Sequence, residues 1–395
     1  MKYFIADILL LAVFVSCCQK VSSNLQATHL ACEWNETLLG IETASPALSW
    51  QIVSDERDVR QTAYRVLVAD SPEQLASGEG NCWDSGKIRS DNSLQVIYGG
   101  VPLRPATTYH WKVKVWDNHG NESGWSEPAG WQTGLFAPED WKGAAWIALQ
   151  ELPDEKKVVP GIHGRGPETL GDMKNILPML RREFAVDKPL KRATAFISGL
   201  GHFEMSLNGK KVGDHFLDPG WTSYEQYALY VTFDVTSYLQ QGANACGILL
   251  GNGFYHTPRE RRYLKCVVSH GYPKAICRIL LEYADGSTAD VITDESWRTT
   301  ASPITFSSIY GGEDYDARLE QAGWNLQGFD DSHWQRPLRV KGPDLRSQTA
   351  TPLKVQETIV PQRIFQSKKG DWVYDLGQNS SGIISISVKA ANTKA

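Results

Sequence analysis

The chain has 395 residues, a formal net charge of −5 and 42% hydrophobic residues. This length exceeds one ordinary core and predicts roughly two to four domains. Lysines and arginines are interspersed among acids, with no basic run that could neutralise a phosphate backbone, which argues against a nucleic-acid partner.

Residues 1–18 read as an export signal: Lys2 supplies a positive start, and Ile8 to Val15 an apolar stretch too short to cross a bilayer. Phe14-Val15-Ser16-Cys17 resembles a bacterial lipoprotein cleavage box, in which Cys17 takes the lipid. Simple secretion and an uncleaved start are the alternatives. The expected location is the periplasm or the outer membrane of a Gram-negative bacterium. No run of 18 apolar residues follows. Beyond the signal lie Cys32, Cys82, Cys246, Cys266 and Cys277, an odd set without metal-ligand spacing. Cys246, in an apolar strand, reads as a buried small hydrophobe. A Cys266–Cys277 bridge is open but unsupported.

The predicted fold class is all-β: a fibronectin type III-like sandwich, then a jelly-roll sandwich, then the start of a third β-domain. The first module covers 24–137. In Tyr109-His110-Trp111-Lys112-Val113-Lys114-Val115-Trp116, alternation places Tyr109, Trp111, Val113 and Val115 on one face. The preceding Leu103-Arg104-Pro105-Ala106-Thr107-Thr108-Tyr109 has the spacing of a tyrosine corner, and Trp50 is the expected buried early-strand tryptophan. Such a module is usually a spacer. Residues 138–180, broken repeatedly by Pro and Gly, read as a linker and irregular loop. The jelly roll covers 181–352, with hairpin signals at Asn208-Gly209 and Asp285-Gly286. Residues 353–395 read as the incomplete start of a further β-sandwich, since two strands cannot bury a core.

The stretch Ala193 to Tyr255 closely resembles the N-terminal β-domain of bacterial α-L-rhamnosidases. Further landmarks are Gln61-Thr62-Ala63-Tyr64, Trp83-Asp84-Ser85-Gly86-Lys87, Asp218-Pro219-Gly220-Trp221-Thr222, Tyr310-Gly311-Gly312-Glu313, Tyr315-Asp316-Ala317-Arg318 and Asp375-Leu376-Gly377-Gln378-Asn379. The resemblance implies the non-catalytic N-terminal portion of an exported, inverting glycosidase that releases terminal L-rhamnose from plant glycans. Inversion needs an acid and a base about 6.5–9.5 Å apart. In the family these come from an (α/α)6 barrel that follows the β-domains, a barrel absent from this sequence. No catalytic residue carries over, and the chain alone is expected to be inactive, the barrel being encoded downstream or separately. The alternative is a lipid-anchored carbohydrate-binding sandwich that does not cut.

Local acids offer poor substitutes. Asp294 with Glu295, Glu313 with Asp314 and Asp316, and Asp330 with Asp331 sit on turns or on opposite faces of strands. His202, His215, His256 and His270 show neither metal spacing nor a nucleophile partner. The candidate carbohydrate-binding residues are Asp218, Trp221, Tyr224, Asn252 and Tyr255, aromatic faces for sugar C–H groups beside side chains that fix hydroxyls. Some relatives bind rhamnose through calcium on this jelly roll, with an Asp-Asn pair where this chain has Gly199-Leu200-Gly201-His202. That stretch lacks hard oxygen ligands, so neither metal nor cofactor is expected. A rhamnose-containing glycan is the expected partner.

Overall fold

A computed structural model describes residues 24–34, 38–159, 174–258 and 268–387. The signal, its Cys17 and Cys266 lie outside the described residues. The chain is almost entirely β and groups into two compact units, one holding residues up to Gly213 with Leu217–Thr351, the other Asp214–Phe216 with Pro352 onward.

In the first module Gln26–Cys32, Ala47–Val53 and Val96–Ile97 form one sheet. The facing sheet runs Leu38–Ile41, Ala129–Thr133, Thr108–Asp117, Gln61–Ala69, with Trp83–Asp84 and Ile88–Arg89 both pairing to the last. Tyr109, Trp111, Val113 and Val115 all enter the core between the sheets, as the period-two pattern requires. Trp50 packs edge-on against Tyr64 at 5.2 Å and gives its indole N–H to Gln61 Oε1 at 2.8 Å. The tyrosine corner is formed, with the Arg104 N–H donating to Tyr109 Oη at 2.8 Å.

The second module packs two sheets around a core that includes Leu180, Ile197, Met205, Ile248, Ile279 and Trp297. One sheet runs Lys210–Lys211, His202–Leu207, Gly242–Gly251, Pro178–Val186, Arg298–Ala301. The other runs Leu338–Val340, Trp146–Ala148, Lys274–Tyr283, Leu190–Leu200, Tyr227–Asp234, Asp344–Ser347, with Thr288–Ile292 added to Lys274–Tyr283. Asn208 and Gly209 turn the first hairpin with φ of 50° and 79°, the left-handed pair a two-residue loop requires.

Within the stretch read as a linker, Trp146–Ala148 is a strand between Leu338–Val340 and Lys274–Tyr283. It belongs to a sheet that is buried on both faces. Ala195 and Ile197 face the jelly-roll core, while Phe196 and Leu200 pack outward against Ala106, Leu135 and Trp141. A strand covered on both sides reads as a continuous apolar run rather than an alternation, which is what Ala193 to Leu200 shows. Polar bonds tie the modules together. Arg192 donates to Thr108 Oγ1 and to Gln132 Oε1, Gln132 Nε2 donates to Thr194 Oγ1 at 2.9 Å, and the Leu135 N–H donates to Tyr230 Oη at 2.8 Å.

Cys32, Cys82, Cys246 and Cys277 are free, buried thiols. Cys277 is thus not bridged, and its burial pushes the thiol up to about 12, leaving it unreactive. In the second unit His215–Phe216 pairs with Leu353–Lys354, and Arg363–Gln366 with Trp372–Asp375 in a hairpin that leaves Ile364, Phe365, Trp372 and Tyr374 exposed.

Candidate functional site

The five residues singled out from the sequence do not form one site. Asp218 is buried; its carboxylate accepts from Gln348 Nε2 at 3.3 Å and its carbonyl from the Phe203 N–H at 2.9 Å. Asn252 is fully enclosed, and its amide donates to Asn175 Oδ1 at 2.9 Å and to the Ser307 carbonyl at 2.7 Å. Both are therefore fastenings between segments, and neither faces an open surface. Trp221 is half exposed and stacks on Phe254 at 4.8 Å, with Tyr310 edge-on to Phe254 at 5.9 Å.

Tyr224 and Tyr255 do come together, in a cleft of about 940 Å³. Tyr224 sits on the loop before the Tyr227–Asp234 strand, and Tyr255 on the turn after Gly242–Gly251. Their rings meet edge to face at 5.2 Å, and His270 completes the set, edge-on to Tyr224 at 5.3 Å and stacked on Tyr255 at 5.7 Å. Tyr255 Oη donates to the His270 carbonyl at 3.3 Å. The Tyr224 hydroxyl has no hydrogen-bond partner among the described residues, although the residue is only 6% exposed.

Lys274, Glu151, Asp154 and Lys157 form part of a charged wall that also holds Glu225, Arg339 and Lys341. Lys274 is 4% exposed; its ammonium donates to the Lys341 carbonyl at 2.9 Å and stands 4.0 Å from Glu151 Oε1. Burial lowers it to about 8. Burial likewise lowers His270, which is therefore a neutral ring at pH 7, and raises Tyr224, which stays a phenol. Sequence reasoning set His270 aside with the packing histidines and passed over Lys274 and Glu151. The one signal for Lys274 is a lone cation opening the apolar run Ala275-Ile276-Cys277.

Comparison with known proteins places this architecture. Residues 188–357 match the α-L-rhamnosidase N-terminal domain, and residues 27–137 the N-terminal immunoglobulin domain of Rha78A-like proteins. The chain carries the N-terminal domains of the α-L-rhamnosidase family. An α-L-rhamnosidase of Formosa agariphila is 35% identical over 98% of this chain, which covers 42% of that protein. The α-L-rhamnosidase structure of Dictyoglumus thermophilum aligns at a TM-score of 0.77 and 37% identity, covering 91% of this chain and 39% of that one. That of Streptomyces avermitilis, solved with L-rhamnose, also aligns at 0.77, with 26% identity over 90% of this chain and 49% of its own. The chain thus spans between 38% and 50% of the curated relatives it matches.

An inverting rhamnosidase centre needs one carboxyl group kept protonated opposite a free carboxylate. The acids named from the sequence are mostly engaged otherwise. Asp294 accepts from the Ser296 N–H at 2.8 Å and pairs with Arg182, Glu295 lies 3.7 Å from Arg339, and Asp316 forms a two-pronged pair with Arg318. Asp330 caps a turn through the Ser332 N–H, and Asp331 is bound by buried Arg181. Glu313 alone is pushed up, by partial burial and by Glu204. Among the cleft acids, Asp154 is held low by Lys157 at 2.5 Å, the reverse of what a proton donor requires. Calcium does not fit at Gly199-Leu200-Gly201-His202. The stretch holds no carboxylate or amide side chain: Leu200 is fully buried and apolar, and the His202 ring offers only nitrogen, a poor ligand for that ion.

Proposed function

We propose that this chain serves as the exported, non-catalytic N-terminal part of an α-L-rhamnosidase, its sandwiches forming a scaffold for hydrolysis of terminal α-L-rhamnose from glycans. The acid–base pair belongs to a catalytic domain outside these residues, encoded downstream or separately. The observation that carries this reading is the continuous match of 98% of the chain, at 35% identity, to less than half of a curated α-L-rhamnosidase. The engagement of the local carboxylates in ion pairs and turn caps agrees with it. Hydrolysis of an aryl α-L-rhamnoside tests it. The 395-residue chain should give no turnover above background. Turnover that disappears in Glu313→Gln, Glu151→Gln or Glu225→Gln would place the catalytic centre in these sandwiches and overturn the proposal.

The same reading takes the chain across the inner membrane by its leader and anchors it in the periplasm or outer membrane through lipidated Cys17. What supports this is the sequence of the leader alone. Mass spectrometry of the cell-derived protein should find an N-terminal lipid-modified Cys17, and Cys17→Ser should release the chain from the membrane fraction. An unmodified, uncleaved Met1 would refute it.

A further inference from the structure

We propose that the cleft floored by Tyr224, Tyr255 and His270 is a binding site for a neutral, hydroxyl-rich saccharide, read by the Tyr224 hydroxyl, the His270 imidazole and the Lys274 ammonium. The choice of rhamnose-based probes rests on the rhamnosidase reading; the site itself rests on its geometry.

A hydroxyl that opens into a cleft without a protein partner is left to water or to a ligand. Tyr224 is placed this way: its ring is buried, its hydroxyl has no partner among the described residues and is not among their enclosed polar atoms, and the residue lines the cleft. His270, partly exposed and stacked on the buried Tyr255 ring, offers a ring face to the apolar side of a pyranose, and its neutral imidazole offers one donor and one acceptor. Lys274 spends one N–H on the Lys341 carbonyl and keeps donors for hydroxyls beside Glu151, which accepts. The volume of about 940 Å³ is at the upper end of ligand clefts, roughly 300–1,000 Å³, and has room for more than one sugar unit.

Charge decides the class. Lys157 pairs with Asp154 at 2.5 Å, Lys274 stands 4.0 Å from Glu151, and Arg339 lies 3.7 Å from Glu295. Glu225 acts on His270 with the opposite sign to Lys157. Lys341 also lines the cleft and acts on Asp154, so four cations, Lys157, Lys274, Arg339 and Lys341, are set against Glu151, Asp154 and Glu225 in the lining and Glu295 beside it, which leaves little excess field for an anion. The cleft is instead rich in donors and acceptors suited to hydroxyl groups.

Titration calorimetry of the full chain with methyl α-L-rhamnoside, a neutral rhamnose oligosaccharide and D-galacturonate tests the proposal. The neutral ligands should bind at millimolar concentration or better, the oligosaccharide more tightly, and galacturonate more weakly than both. Tyr224→Phe keeps both ring contacts and should weaken binding about tenfold. Lys274→Met should weaken it as well. Trp34→Ala, at an exposed position outside the cleft lining, should leave affinity unchanged. Denaturation midpoints confirm that each variant is folded. Absence of heat with both neutral ligands, unchanged affinity in folded Tyr224→Phe, loss of binding in Trp34→Ala, or preference for galacturonate would each overturn it. None of these outcomes depends on whether the chain hydrolyses a rhamnoside.

Discussion

Arg181 links the Pro178–Val186 strand to the turn region 321–334, and replacing it gives a measurable test of that linkage. Its side chain is 1% exposed. Nε donates to the Trp324 carbonyl at 2.8 Å, Nη2 to the Leu326 carbonyl at 3.0 Å and to Glu183 Oε1 at 2.6 Å, and Nη1 binds Asp331. The guanidinium also lies 5.3 Å over the Phe329 ring. Arg181→Met keeps the apolar stem and removes every donor. Each carbonyl left without a partner costs about 1–3 kcal/mol, less where water can enter. Asp331, with a side chain 25% exposed, retains Arg298 at 3.9 Å as its cation among the described residues. Glu183 is 39% exposed and still accepts from the Gly328 N–H, so its loss is small after solvent screening. The sum is about 3–5 kcal/mol, the range for removing one partner of a buried ion pair. Arg181→Lys retains the charge without the fork and should lose about 1–3 kcal/mol. Urea unfolding followed by tryptophan fluorescence reads this directly, because Trp324 and Trp334 stack at 6.2 Å in the same region. A loss below about 1 kcal/mol for Arg181→Met at unchanged m-value would refute the reasoning.

Three further outcomes are expected. His256 is buried with Nε2–H donating to the Lys174 carbonyl at 3.0 Å and Nδ1 accepting from Ser269 Oγ at 2.7 Å, and burial lowers it from 6.5 to about 4. Below pH 6.5 the unfolded chain takes up a proton that the folded one refuses, so stability should fall by about 3 kcal/mol between pH 6.5 and 4 and be unaffected by this group above that window. His256→Gln should flatten that part of the pH profile of the urea midpoint; an identical profile in both proteins would remove His256 as its source. In Gly134→Ala the new Cβ would lie 2.3 Å from Tyr230 Oη and 2.8 Å from the Gly40 carbonyl, so the urea midpoint should fall with a loss of about 1–3 kcal/mol, and an unchanged midpoint would refute this close approach. Limited trypsin digestion should cut first after exposed Lys368 or Lys369, in the turn of the exposed hairpin; earlier cleavage within the two sandwiches would contradict this.

What was legible in the sequence followed local periodicity and turn chemistry. Tyr109 to Val115, the tyrosine corner and Asn208-Gly209 are each set by residues a few positions apart, and the structure forms all of them. The Trp146–Ala148 strand was hidden because it is short and its partners are remote in sequence. The site was legible only in part. Tyr224 and Tyr255 share a cleft, whereas Asp218 and Asn252 have the polar chemistry of ligand residues but direct it at Gln348, Asn175 and Ser307. Residue type gives hydrogen-bonding capacity; only tertiary contacts decide whether a sugar or the protein's own backbone uses it. Lys274 shows the converse, a cation on an otherwise apolar strand whose role emerges when Glu151 and His270 arrive from elsewhere in the chain.

The same logic changes the standing of the first module. Sandwiches of this kind are usually spacers, yet here Ala106 and Leu135 help cover Phe196 and Leu200 on the outer face of the jelly-roll sheet. Gln132 and Arg192 form a buried polar bridge across the same junction, and Tyr230 Oη receives the Leu135 N–H. A fragment beginning at Ala137 would keep both jelly-roll sheets and lose all of these contacts. With the bond of Arg192 to Thr108 included, four interrupted polar links at about 1 kcal/mol each, with part of the apolar cover removed, place its loss near 4 kcal/mol or above. The fragment should therefore unfold at lower urea than the full chain and bind a hydrophobic dye through the uncovered sheet. An equal midpoint without dye binding would make the first module a spacer after all. A lower midpoint would mean that the two sandwiches fold as a single body and that the cleft around Tyr224 depends on both.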